Sequence, residues 1–163
     1  MPLDFDPSRY IFSVPGLQSI LQQAIEFYND TPIQPLPPPT EFKGPGVYGL
    51  YYEGDYPPYI SLAQSNQNQA YTQPIYIGKA VLPGARTGRI STIANSIYGR
   101  LQEHTESIKF TSNLRIEDFF CRFIILQGAE SDLITALEAE LIRKYTPLWN
   151  QVVKVESQQV CKS

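Results

Sequence analysis

GVYGLYYE, residues 46–53, is the stretch on which the fold turns. A Gly-Pro-Gly turn signal opens it at 44–46, and the β-branched and aromatic run behind it favours a strand over a helix. Downstream, residues 54–73 are polar and rich in Gln and Asn, which predicts a long connection with little core of its own. PIYIG at 74–78 is a short second strand that stops at glycine, and KAVLPGARTGRIST at 79–92 is a basic loop broken by glycine and proline. A helix is expected over about residues 93–108, a third strand over FFCRFIIL at 119–126, and a last helix from Ser131, a good N-cap, to about Tyr145 before Pro147. Upstream, residues 31–46 contain six prolines and read as an extended strap. Before the strap, Leu17, Ile20, Leu21, Ala24, Ile25 and Tyr28 recur at steps of three and four, the stripe of an amphipathic helix over 15–28. The order predicts an α+β fold: a small three-stranded antiparallel or mixed sheet flanked by helices. We expect one domain, 1–163, made of an N-terminal helix and strap (1–45), a core (46–150) and a short tail (151–163).

Length and composition set the outer limits. The 163 residues, 42% hydrophobic, suffice for one ordinary core. No run of about 18 apolar residues occurs, and MPLDFDPSRY lacks the basic flank and apolar stretch of a signal peptide. The expectation is a cytoplasmic protein with no membrane partner. Cys121 and Cys161 have no CxxC spacing, so neither a zinc site nor a disulfide framework is indicated. The net charge of -3 speaks against nucleic acid only as an average. Residues 1–73 hold two basic and seven acidic side chains, 74–115 six and two, and 116–163 five and seven, so the middle of the chain is positive between acidic flanks.

Polar groups interrupt two apolar helix faces. At about 100° per residue, Ile134, Leu137, Leu141, Ile142 and Tyr145 share an arc of about 140°; Glu138 falls inside it and Glu140 nearly opposite. An inward carboxylate must be protonated, hydrogen-bonded, paired with a cation or bound to a metal. A structural salt bridge is the plainest of these answers. In the preceding helix Ile93, Ile97, Leu101 and Ile108 form the stripe, and Arg100 and His104, the chain's single histidine, lie on the same arc. Glu103 and Glu106 point elsewhere. Three such intrusions are what a preorganised site looks like. Tyr48 and Tyr76 stand in the two strands just before glycines.

Taken in order, GVY at 46–48, YIG at 76–78, Arg100 and His104 in GRLQEH, Glu138, and Asn150 after PLW resemble the GIY-YIG nuclease superfamily. Val47 replaces the isoleucine of the first tripeptide. Glu138, twelve residues before Asn150, has the spacing of the family's glutamate. TPIQPLPPP, GVYGLYY, PIYIGKAV, TSNL, FFCRFII and LIRKYTPLWN look more specifically like the type II restriction endonucleases of this superfamily that act on CCGCGG. The resemblance implies Mg²⁺-dependent hydrolysis of double-stranded DNA. It makes Glu138 the metal ligand, Tyr48 the general base or a relay to it, His104 its proton acceptor, Arg100 the phosphate's partner, Tyr76 an orienting group and Asn150 a structural one. Lys79 is then a candidate for a phosphate, and Arg86 and Arg89, beside Gly84 and Gly88, for guanine edges. A palindromic site implies a two-fold homodimer.

Two other readings compete. Repair and mobile-element nucleases share the chemistry but commonly carry extra domains. Relatives of the restriction branch continue for several dozen residues past the asparagine, whereas this chain stops at Ser163, so a truncated remnant that binds DNA or dimerises without cutting is the non-enzymatic alternative.

Overall fold

A computed structural model describes residues 4–82 and 92–151. Four strands form one sheet: β1 (Gln34–Pro35), β2 (Gly46–Tyr52), β3 (Tyr76–Ala80) and β4 (Phe119–Ile125), in the order β1-β4-β2-β3, each pair antiparallel. Four α-helices are described: α1 (Leu17–Asp30), α2 (Ile60–Asn66), α3 (Ile97–Lys109) and α4 (Ile134–Tyr145).

The α+β class stands, but the sheet has four strands where three were expected. The additional one comes from the proline-rich strap. Gln34 and Pro35 pair with Cys121 and Phe120 at the sheet edge, where a proline, lacking an N–H, does the least damage. The connection after β2 differs as well, since it contains α2. Asn66 at the end of α2 is fully buried; its amide donates to the carbonyls of Tyr52 and Gln73 and its carbonyl accepts from the Gln73 N–H, all at 2.9–3.0 Å. One side chain thus closes the excursion against the sheet.

β2 is central, and all seven of its residues are buried. Its side chains alternate between two cores. Val47 joins Ile77, Ile124 and the inner residues of α1 and α4, among them Leu21, Ile25, Leu137 and Leu141. Tyr48, Leu50 and Tyr52 join Cys121, Phe119 and the inner residues Ile97, Leu101 and Ile108 of α3. Gly49 leaves room for Tyr28 of α1, whose hydroxyl lies 2.1 Å from where a Cβ would stand. Cys121 is a free, buried thiol, pushed up to about 12 by burial.

Candidate active site

β2 and β3 bring the two tripeptides together. Tyr48 lies directly opposite Gly78 in the antiparallel register. The Tyr48 ring crosses the space a Gly78 side chain would need: a Cβ there would stand 2.6 Å from the Tyr48 hydroxyl and 2.7 Å from the Tyr76 ring. Only glycine at 78 lets both tyrosines keep these positions.

α3 covers the same face and supplies His104. The Tyr48 hydroxyl and His104 Nε2 are 3.0 Å apart, and the rings of Tyr76 and His104 are 4.8 Å apart between centroids. Burial acts on all three groups in the neutral direction. It raises Tyr48 well above the ordinary tyrosine value, with Tyr76 adding to the shift and the Arg100 charge opposing it. It raises Tyr76 too, followed by the charge of Glu138. It lowers His104, against the pull of Glu103. A neutral phenol beside a neutral imidazole can pass a proton, because either ring nitrogen of histidine can accept.

Arg100 does not enter the apolar face. α3 starts at Ile97, so Ile93 belongs to the preceding turn and does not set the helix phase. The buried arc then runs through Ile97, Leu101, Thr105 and Ile108, with Arg100 at its rim. Its side chain is half exposed and pairs with Glu103 at 3.2 Å, the i,i+3 partner that the wheel had sent elsewhere. Its charge still reaches Tyr48, Tyr76 and His104.

Glu138 approaches from the other layer. Its Oε2 lies 2.9 Å from Lys79 Nζ, with the carboxylate 19% and the lysine 35% exposed. Lys79 belongs to β3, not to the loop behind it. Glu140 is not out in water either: it is 22% exposed and pairs with Arg143 of its own helix. The buried arc of α4 centres on Ile134, Leu137 and Leu141, with Ile142 and Tyr145 only partly covered, so the two glutamates flank it. What separates them is the partner each takes, Glu138 pairing with Lys79 of β3 and Glu140 with Arg143 of its own helix.

The chain after α4 locks β3. Thr146 turns left-handed (φ 40°), and Trp149 and Asn150 then run along the open edge of the strand. The Trp149 N–H donates to the Ile75 carbonyl at 2.9 Å. Asn150 takes both backbone groups of Ile77, accepting from its N–H and donating to its carbonyl, each at 2.9 Å. Ile77 sits between Tyr76 and Gly78, so this clamp fixes the strand that carries one tyrosine and accommodates the other.

Among the described residues, no cluster of three or more His, Cys, Asp or Glu could hold a metal. A single hard carboxylate, partly open to solvent and already holding a cation, does suit a divalent ion whose remaining ligands are water and substrate oxygens. Arg86 and Arg89 lie outside the described residues. Sequence reading placed Lys79 as a phosphate contact but missed its pairing with Glu138, for which distant residues give no local signal; it missed the Arg100–Glu103 pair as well, although the i,i+3 spacing offered one.

Comparison with known proteins adds two findings. The family model described as the Eco29kI GIY-YIG domain matches residues 40–156, a span that runs from before Tyr48 to beyond Asn150. No curated protein matches the chain.

Proposed function

The chain belongs to the family of the Eco29kI GIY-YIG domain and is a DNA endonuclease, a hydrolase, from which we propose a Mg²⁺-dependent type II restriction enzyme cutting a G·C-rich palindrome such as CCGCGG. The observation that carries the mechanism is the 3.0 Å contact between the Tyr48 hydroxyl and His104 Nε2. Tyr48 is far too weak an acid to stand as phenolate at neutral pH. It therefore works as a relay, its oxygen taking a proton from the attacking water as its own proton passes to His104. Arg100 exchanges Glu103 for the scissile phosphate, where its planar fork fits two oxygens. Tyr76 orients the water or the phosphate.

Glu138 would hold the metal ion, which when bound would supply charge neutralisation for phosphodiester hydrolysis. Lys79 compensates the carboxylate in the free chain and turns to a phosphate when DNA arrives. Arg86 and Arg89 reach guanine edges, and two copies of the chain cut one strand each. Asn150 acts on the site only through β3.

Digestion of plasmids with and without CCGCGG, in Mg²⁺ and in EDTA, tests this reading. The wild type should cut only the site-bearing plasmid and only with Mg²⁺. Glu138→Ala should abolish cutting and Glu140→Ala should leave it nearly intact. Cutting that survives Glu138→Ala would remove the metal-ligand assignment.

A further inference from the structure

Arg122 is a buried cation that the nuclease reading does not use. It stands opposite Gly49 in the β2–β4 register, one position from Phe123, the partner of Tyr48, so its side chain leaves the other face of the sheet. The residue is only 8% exposed. Its Nε donates to the Thr31 carbonyl at 3.2 Å and its Nη1 to the Tyr71 carbonyl at 3.3 Å, and the Tyr51 ring lies against the guanidinium, with Cζ 5.4 Å from the ring centroid. All of these partners are neutral. The charge of Arg122 also reaches Tyr28, but burial raises the phenols of Tyr28 and Tyr51 above the ordinary tyrosine value and so keeps both uncharged. Among the described residues no carboxylate pairs with Arg122. A guanidinium withdrawn from water without an anion is costly, and after two bonds to carbonyls it still has N–H donors to give.

The charge opens on a hollow. Arg122 lines a cavity of about 500 Å³ together with apolar surface from Pro35, Tyr71 and Phe120 and with Gln34 and Gln69. That volume suits one small organic ligand. The Tyr71 ring lies 5.3 Å from that of Phe120 and 6.1 Å from that of Tyr51, between centroids, so an aromatic wall stands beside the cation. The rim of the hollow is held in an uncommon form. Asn68, Gln69 and Tyr71, none of them glycine, turn left-handed at φ 59°, 61° and 42°. Such backbone persists only where its surroundings impose it. Here the Asn66 amide bonds Gln73, the Thr72 hydroxyl donates to the Ser65 carbonyl, and the Tyr71 carbonyl accepts from Arg122, which ties the loop to the sheet. We propose that this hollow binds a small organic monocarboxylate, its carboxylate on the remaining donors of Arg122 and its apolar or aromatic body against Tyr71 and Phe120.

Charge and shape support this class of ligand. One cation matches one negative charge, and the planar fork of arginine matches a planar carboxylate. Phosphates and DNA are the wrong partners, because no second cation lines the hollow and the acidic Glu53 acts on Tyr71 at its wall, adding to the rise that burial gives this phenol. The apolar share of the lining favours a ligand with a hydrophobic body over acetate or formate. The inference goes beyond the nuclease reading and needs neither metal nor DNA.

Titration of the 15N-labelled chain with benzoate, free of metal and DNA, tests it. Benzoate should shift the Arg122 Nε–H and Gln69 amide signals saturably while the His104 signals stay in place. Neutral benzamide should bind at least about ten-fold more weakly, because it lacks the charge-assisted bond. Gln69 is exposed, so Gln69→Glu and Gln69→Lys change the charge at the rim and leave the core alone. At low salt they should weaken and tighten benzoate, respectively, by a factor of about five. Arg122→Gln should abolish binding, and should it unfold by losing its ties to Thr31 and Tyr71, the Gln69 pair carries the test. Benzamide binding as well as benzoate, an affinity indifferent to the charge at 69, or no saturable shift would each overturn the proposal. Inorganic phosphate or a short DNA duplex that displaces benzoate at equal concentration would overturn the carboxylate assignment. Cleavage is read separately: a chain that cuts DNA and ignores benzoate refutes this site alone, and one that binds benzoate and cuts nothing refutes the nuclease reading alone.

Discussion

Tyr48 and His104 face each other at 3.0 Å with both groups driven towards neutrality by burial, which gives His104 a pH-dependent share in stability and activity. The folded-state value of His104 lies below the ordinary 6.5. As pH falls from 6.5, the unfolded chain takes up the proton first, so the stability that the neutral imidazole allows is complete above 6.5 and is lost as pH falls through the lowered folded value. Activity should follow the same limb. A kcat/KM profile from pH 5 to 9 should be flat above neutrality, fall only below 6.5, and show no rise from tyrosine ionisation on the alkaline side; an activity rise centred near pH 8 would contradict the relay. Gly78→Ala belongs at this scale too. Its Cβ would collide with the Tyr48 hydroxyl, so the variant should lose cleavage and about 1–3 kcal/mol of stability in urea denaturation, as overpacking does.

β3 is a five-residue strand at a sheet edge, held on one side by β2 and on the other by the segment after α4. Without Asn150 the N–H and carbonyl of Ile77 lose their partners. Asn150→Ala should therefore cost about 1–3 kcal/mol and speed hydrogen exchange at the Ile77 amide selectively, while the β2–β4 amides keep their protection. Unchanged exchange at Ile77 would show that the clamp is dispensable. The helices show how far periodicity could be trusted. α1, α3 and α4 were all legible as amphipathic segments, yet in each the wheel misjudged the flanks. α3 began four residues later than its stripe suggested, which moved Arg100 out to the rim, and α4 rolled towards Leu137, which brought Glu140 in from solvent. A stripe of apolar residues records which face can be buried, and the neighbouring layer selects how much of it is.

Two cores share one strand, because the side chains of β2 alternate between the layer of α1 and α4 and that of α2 and α3. Leu50, fully buried, should cost about 2–5 kcal/mol when replaced by alanine, and unfolding should remain a single transition by fluorescence and by circular dichroism, since neither layer can persist without β2. Separate transitions for the two layers would contradict that coupling. The amino-acid sequence by itself determined the class of fold and the strands β2, β3 and β4, because β-periodicity and helix stripes are local properties of the chain, whereas the candidate set from Tyr48 to Asn150 came from resemblance to a family. It could not reach the fourth strand, the pairing of Lys79 with Glu138, or the grip of Asn150 on Ile77. Those depend on which segments meet across 59 to 87 positions of sequence, and such meetings are decided by the packing of helices on a common sheet.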